Sequence, residues 1–167
     1  MPSRPDPHPN RALREHVVAL LEGGHAHVTF GDAVADWPPA LRGVKPAGQP
    51  FTAWRLLEHI RISAWDIVEF TKSTTHESPA WPAGYWPADD APPNPAAWDH
   101  SVAQVEHDVA EMKRLVRDAA SDLFARIPHG TGQTLLREAL VLADHNSYHL
   151  GQLVLLRRLL GAWKDKT

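Results

Sequence analysis

The chain has 167 residues, 43% of them hydrophobic, with a formal net charge of −3. That size and balance fit one globular domain with its own core and exclude wholesale disorder, while the charge gives no footprint of a nucleic-acid binder and no uninterrupted apolar run is long enough to span a bilayer. Cysteine is absent, which excludes disulfides, thiolate-bound zinc and a nucleophilic thiol of the protein's own.

Residues 1–9 are polar and proline-rich and read as a disordered tail. They lack the apolar core of a signal peptide, so a cytoplasmic location is expected. The first helical segment runs from Asn10, a good N-cap, to Glu22, where Gly23 and Gly24 end it. A short turn of helix is expected after Thr29, before "DWPP" stops it. "RGVKPAGQP" is a loop by composition.

The second long segment is "FTAWRLLEHIRISAWDIVEF", residues 51–70. Thr52 can cap it, Phe51 can pack on Leu56 as a hydrophobic staple, and Leu57, Ile60, Ala64, Ile67 and Val68 recur at helical spacing. Residues 73–94 then form a proline-rich connection. A loop of that length in a small domain is usually functional or mobile. Its Trp81, Tyr85 and Trp86 mark it either as a lid over a pocket or as packing on a bundle end. The third segment starts with Asn94 as cap and Pro95 at the first helical position, and its periodicity predicts helix as far as Ile127. The fourth runs from Gln133 to Leu160, with Gly161 as the stop. No segment alternates like a half-buried strand. Four such helices bury their stripes best against one another. The expected fold is an all-α four-helix bundle, residues 1–167 forming one domain with long crossover connections.

"LADHNSYHLGQL", residues 142–153, places His145 and His149 four apart on the fourth helix. Side chains at i and i+4 share a face, so two imidazoles there can reach one metal ion. With 11 histidines in the chain, chance alone gives roughly 0.7 such pairs, and the spacing alone does not decide. Helical projection puts Glu138, Val141, Leu142, His145, Tyr148, His149, Gln152 and Leu156 in one mostly apolar sector. Uncharged histidines inside it need partners. Either a metal satisfies them, or each bonds a carbonyl or Gln152.

A catalytic metal usually takes three protein ligands and keeps an open position. His59 in "LLEHIRIS" is the best third ligand, lying mid-helix among Leu56, Ile60, Ile62 and Ser63. Asp66, one heptad on, can support it, as Gln152 can support His149. His8 lies in the tail and His76 and His129 in loops, while His100 and His107 share a polar stripe. His25 and His27 read as turn polarity. Asn146 follows His145, so the HExxH base of metalloproteases is missing, and Glu138 is either an acid/base or an ion-pair partner.

"WRLLEHIRISAWDI" followed by "REALVLADHNSYHLGQL", with Pro79 to Pro87 between them, resembles the DinB/YfiT-like superfamily over nearly the whole chain. The resemblance implies a metal-binding four-helix bundle of crossed connectivity, often dimeric. One divalent metal, zinc or nickel foremost and iron or copper next, would sit on His59, His145 and His149. Some relatives are S-transferases that use bacillithiol or mycothiol, so a small thiol and an electrophile are the implied partners. Arg55, one turn before His59, is the best-placed cation for such a thiol's carboxylates, against a plainer reading as a solvated helix charge. A hydrolase with Glu138 or Asp66 as base, and a non-catalytic, metal-stabilised stress-related binding protein, stay open beside the transferase.

Overall fold

A computed structural model describes residues 10–163; the expected tail at residues 1–9 lies outside the described residues. The described residues are all-α. Helix α1 spans Arg11–Glu22, α2 Phe30–Val34, α3 Ala53–Lys72, α4 Ala97–Arg117 and α5 Leu135–Leu159. The sequence cues account for most of these bounds. Thr29 and Thr52 each accept a backbone N–H from the residue three positions on, which starts α2 and α3; Thr134 does the same for α5, which therefore begins at Leu135 rather than at the expected Gln133. Gly23, at φ 70°, closes α1, because only glycine takes that conformation without strain.

Helices α1, α3, α4 and α5 form the bundle. α3 packs on α4 and α5, and α1 packs on the same two helices from the other side. Consecutive long helices α1 and α3 are therefore diagonal, and the chain must cross the bundle to connect them. One apolar cluster gathers Trp37, Trp54, Leu57, Ile60, Trp98 and Leu153. A second gathers Val17, Val68, Met112, Leu123, Ala139 and Leu142 around α1. Between α3 and α4 the buried Glu58 carboxylate accepts two hydrogen bonds from Arg61 and one from Ser101, so the charge is fully partnered. Arg157 is buried at the other end. It donates to the carbonyls of Ala33 and Ala162 and ties α2 to the end of α5.

The third predicted segment needs correction at both ends. Helix α4 starts at Ala97, because Asn94 Oδ1 accepts the Ala96 N–H and makes a turn there rather than a helix cap. It stops at Arg117 instead of Ile127. Asp118 leaves helical geometry, and its carboxylate captures the Ala120 N–H. Arg14, reaching across from α1, donates to the carbonyls of Val116, Asp118 and Ser121. A guanidinium thus replaces the amides that would have continued the helix. Leu123 and Ile127 still reach the core, but from an irregular return that pairs Ile127 N–H with the Gln133 carbonyl. Arg14→Ala strips three carbonyls of a charged donor and is expected to cost about 3 kcal/mol. Urea unfolding measures this directly.

Candidate metal centre

Helix α3 supplies His59 from its middle, and α5 supplies His145 and His149 one turn apart. The hydrophobic faces that pack α3 on α5 bring the three rings together. One ring nitrogen from each lies within 4.8 Å of the other two. The Nε2 atoms of His59 and His145 are 3.1 Å apart. His59 and His149 are buried, and His145 is partly buried.

The partners of the outer nitrogens decide which atoms face inward. His59 Nδ1 lies 2.8 Å from the carbonyl oxygen of Tyr85. A carbonyl only accepts, so Nδ1 carries the proton and Nε2 presents a lone pair. His149 Nδ1 lies 2.7 Å from Gln152 Oε1, which sets the same tautomer on that ring. His145 Nε2 meets the His59 lone pair, and His145 Nδ1 is buried without a hydrogen-bond partner. A proton between two of these rings satisfies one pair and leaves the third lone pair unmatched. A divalent cation satisfies all three, so the donor set fits the metal. Nitrogens bound tetrahedrally at about 2.0–2.1 Å stand roughly 3.3 Å from one another, close to the observed approach of His59 to His145.

Burial holds all three imidazoles neutral. It lowers the pKa of His59 against the Tyr85 carbonyl, and that of His149 against Gln152. His145 is pushed down to about 4, by burial first and then by its two neighbours. The unfolded chain titrates near 6.5 and the folded His145 near 4, so between those values the unfolded chain binds more protons. Metal-free protein therefore loses stability as pH falls through that window, and these groups contribute nothing to the slope above it. Urea midpoints with a chelator present should drop from pH 6.5 to 4.5, and less steeply in His145→Gln. Parallel slopes would contradict the assignment.

The long connection closes over this site. The Trp86 ring lies flat on His59 at 4.0 Å and 1°, and Phe51 stacks on the other side of Trp86 at 4.4 Å. Asp66 works differently from the expectation. Its carboxylate accepts from the Tyr85 hydroxyl at 2.6 Å and pairs with His76 Nε2 at 2.7 Å. It therefore reaches His59 only through Tyr85, whose carbonyl holds the ring. Burial and the adjacent carboxylate push the Tyr85 hydroxyl up to about 12, so it stays a donor. Trp81 is 79% exposed and only leans on Tyr85 at 5.5 Å. Of the three loop aromatics, Trp86 and Tyr85 cover the site and Trp81 does not.

The other expected residues are placed as follows. Gln152 orients His149, as above. Glu138 is buried and held by Arg137 at 2.7 Å. Arg55 contacts Asp90 at 3.4 Å, and Lys45 reaches the same carboxylate at 3.5 Å. Tyr148, projected inward, is 65% exposed at the rim, with its ring against His149. His100 and His107 are exposed. His27 is an exposed turn residue that also meets Ser147 Oγ at 3.2 Å. The roles of His76 and the Tyr85 carbonyl were hidden from the sequence: a loop histidine ten residues after Asp66 carries no pattern, and any residue can offer a carbonyl.

Fold and site together define a helical bundle with a three-histidine group suited to a metal ion. A family model described as the DinB superfamily matches residues 25–153, and the chain belongs to that superfamily. No curated protein and no solved structure matches the chain significantly. Among the described residues, no helix is long and apolar enough to cross a membrane.

Proposed function

We propose that the chain is a divalent-metal-dependent thiol S-transferase acting with a low-molecular-weight thiol of the bacillithiol or mycothiol type. The carrying observation is a donor set of three imidazoles held neutral by burial, with no carboxylate in the group among the described residues. An ion held by neutral ligands keeps its charge and supplies the acidity that turns a bound thiol into a thiolate near neutral pH. His59, His145 and His149 would hold that ion. The Tyr85 carbonyl and Gln152 fix two of the rings, and Trp86 with Phe51 shields the His59 face from water. The transfer forms one carbon–sulfur bond, the leaving group departs with its electron pair, and the thiol proton passes to solvent. The thiol must come from outside, since the chain contains no cysteine.

A hydrolytic role needs a base for the attacking water. Both candidates are committed: Glu138 to Arg137, and both oxygens of Asp66 to His76 and Tyr85. The donor geometry therefore favours thiol transfer. The test uses the full chain with zinc or nickel, each thiol in turn, and monochlorobimane as electrophile. Conjugate should form at least about tenfold above the uncatalysed rate, a barrier reduction of the order of 1.4 kcal/mol. A chelator or His145→Ala should abolish the excess. No acceleration with either thiol, or acceleration indifferent to the chelator, would overturn the reading.

A further inference from the structure

Helix α5 fills its inner face with Ala139, Leu142, Leu150 and Leu153, all buried, and at 100° per residue Asn146 falls in the middle of them. Its Oδ1 is buried and has no hydrogen-bond partner. The neighbouring His145 Nδ1 is equally unpartnered, so the two side chains do not satisfy each other. A desolvated acceptor left open costs free energy that a leucine at the same place would not. Asparagine is also a poorer helix former than the leucines and alanines around it. Nothing within the described residues repays either cost.

Asn146 borders a cleft of about 230 Å³ between the end of α1, the start of α2, α4 and α5. Leu20, Phe30, Val105, Val109 and Leu150 give it apolar walls, and none of the three histidines of the metal group lines it. The charges stay at its rim: Glu22 and Glu106 are exposed, and Lys113 pairs with Glu22 at 3.5 Å. At the mouth the Ser147 hydroxyl donates to the Ala143 carbonyl at 2.7 Å. His27 Nδ1 faces the Val28 carbonyl at 2.8 Å and carries the ring proton, so Nε2, 3.2 Å from Ser147 Oγ, is an acceptor too. One serine proton therefore serves two acceptors, and Asn146 Oδ1 has none. The lining has acceptors to spare and is short of donors. A small apolar cavity with a few convergent polar groups is the usual form of a ligand site.

We infer that this cleft binds a compact, uncharged molecule with an apolar body and one hydrogen-bond donor, of the phenol class, whose O–H donates to Asn146 Oδ1. The ring covers the apolar walls, and the hydroxyl meets the one acceptor that the fold leaves open. Water alone would satisfy the oxygen without using the walls. The site stands independently of the metal and of the proposed activity.

Isothermal titration of the full chain, with a chelator present throughout, tests the cleft with phenol and toluene, which match in shape and differ in the hydroxyl. Phenol should bind once per chain with a dissociation constant on the order of 0.1–1 mM, and at least as tightly as toluene although toluene is the more hydrophobic. Asn146→Leu keeps the volume and removes the acceptor, so it should shift the ratio of the two affinities at least about tenfold in favour of toluene. Val109→Phe fills the cleft and should abolish the binding of both while the chain keeps its helical circular dichroism. His145→Gln should leave phenol binding unchanged. No phenol binding up to about 10 mM would overturn the inference and leave water as the occupant. So would an affinity ratio unmoved by Asn146→Leu, or phenol binding that survives Val109→Phe. Phenol binding lost in His145→Gln would also overturn it, since Asn146 would then belong to the metal centre.

Discussion

His59→Ala, His145→Ala and His149→Ala should each lower the affinity for zinc or nickel by at least about a hundredfold. The three nitrogens act as one site, so losing one leaves a pair of neutral imidazoles, which holds a divalent ion weakly. The effects should also be far from additive: His145→Ala combined with His149→Ala should cost little more than the first change once binding has become weak. Competition against a chromogenic chelator reads both quantities. Glutamine at His145 removes the ligand without opening a large gap between α3 and α5, which separates ligand loss from misfolding. A variant that unfolds as alanine but binds normally as glutamine would remove that histidine from the site.

Gln152→Leu carries the second large effect. The two side chains are similar in volume, and Gln152 lies beside Phe51, Leu56 and Leu156, so a leucine fits there. What is lost is the acceptor on His149 Nδ1. Without it the ring proton is free to sit on Nε2, and the inward lone pair disappears. Metal affinity should fall by about 10–100-fold, the usual cost of removing a group that orients a ligand. Gln152→Glu keeps the acceptor and adds charge, so it should bind at least as tightly as the wild type. Equal affinities for the Leu and Glu variants would show that the hydrogen bond does not set the tautomer. Isothermal titration with zinc distinguishes these outcomes.

Much of the fold and the metal group could be read from residue spacing. Thr52, Thr29 and Gly23 are local signals and act locally. His145 and His149 share a face because helical geometry demands it, and His59 falls opposite them because apolar stripes align α3 with α5. The end of α4 was not legible. The periodicity of residues 118–127 is helical, and the helix stops because Arg14, about a hundred residues earlier, takes up the carbonyls while the Asp118 carboxylate captures the Ala120 N–H. The inner face of α5 is one residue narrower than the helical projection: Tyr148 stands at the rim, where a ring with a polar tip can face solvent.

The loop was the least legible part. Its prolines announced irregular backbone but not which carbonyl would meet His59. That contact depends on the Asp66 carboxylate gripping both Tyr85 and His76, two residues nine apart in the loop. The grip also gives residues 73–94 a physical link to the site. A loop that lifts must release Trp86 from His59 and the Tyr85 carbonyl from His59 Nδ1 together. Covering the site and holding His59 in its binding tautomer are thus one structural event.

The most direct test of the three-histidine metal centre is metal content per chain, measured by elemental mass spectrometry on tag-free protein after exposure to zinc and to nickel and removal of the excess. The account predicts about one ion per wild-type chain, as a single closed set of three ligands requires, and almost none in His59→Ala. Metal-free wild type after both exposures, or a full equivalent retained by His59→Ala, would contradict it.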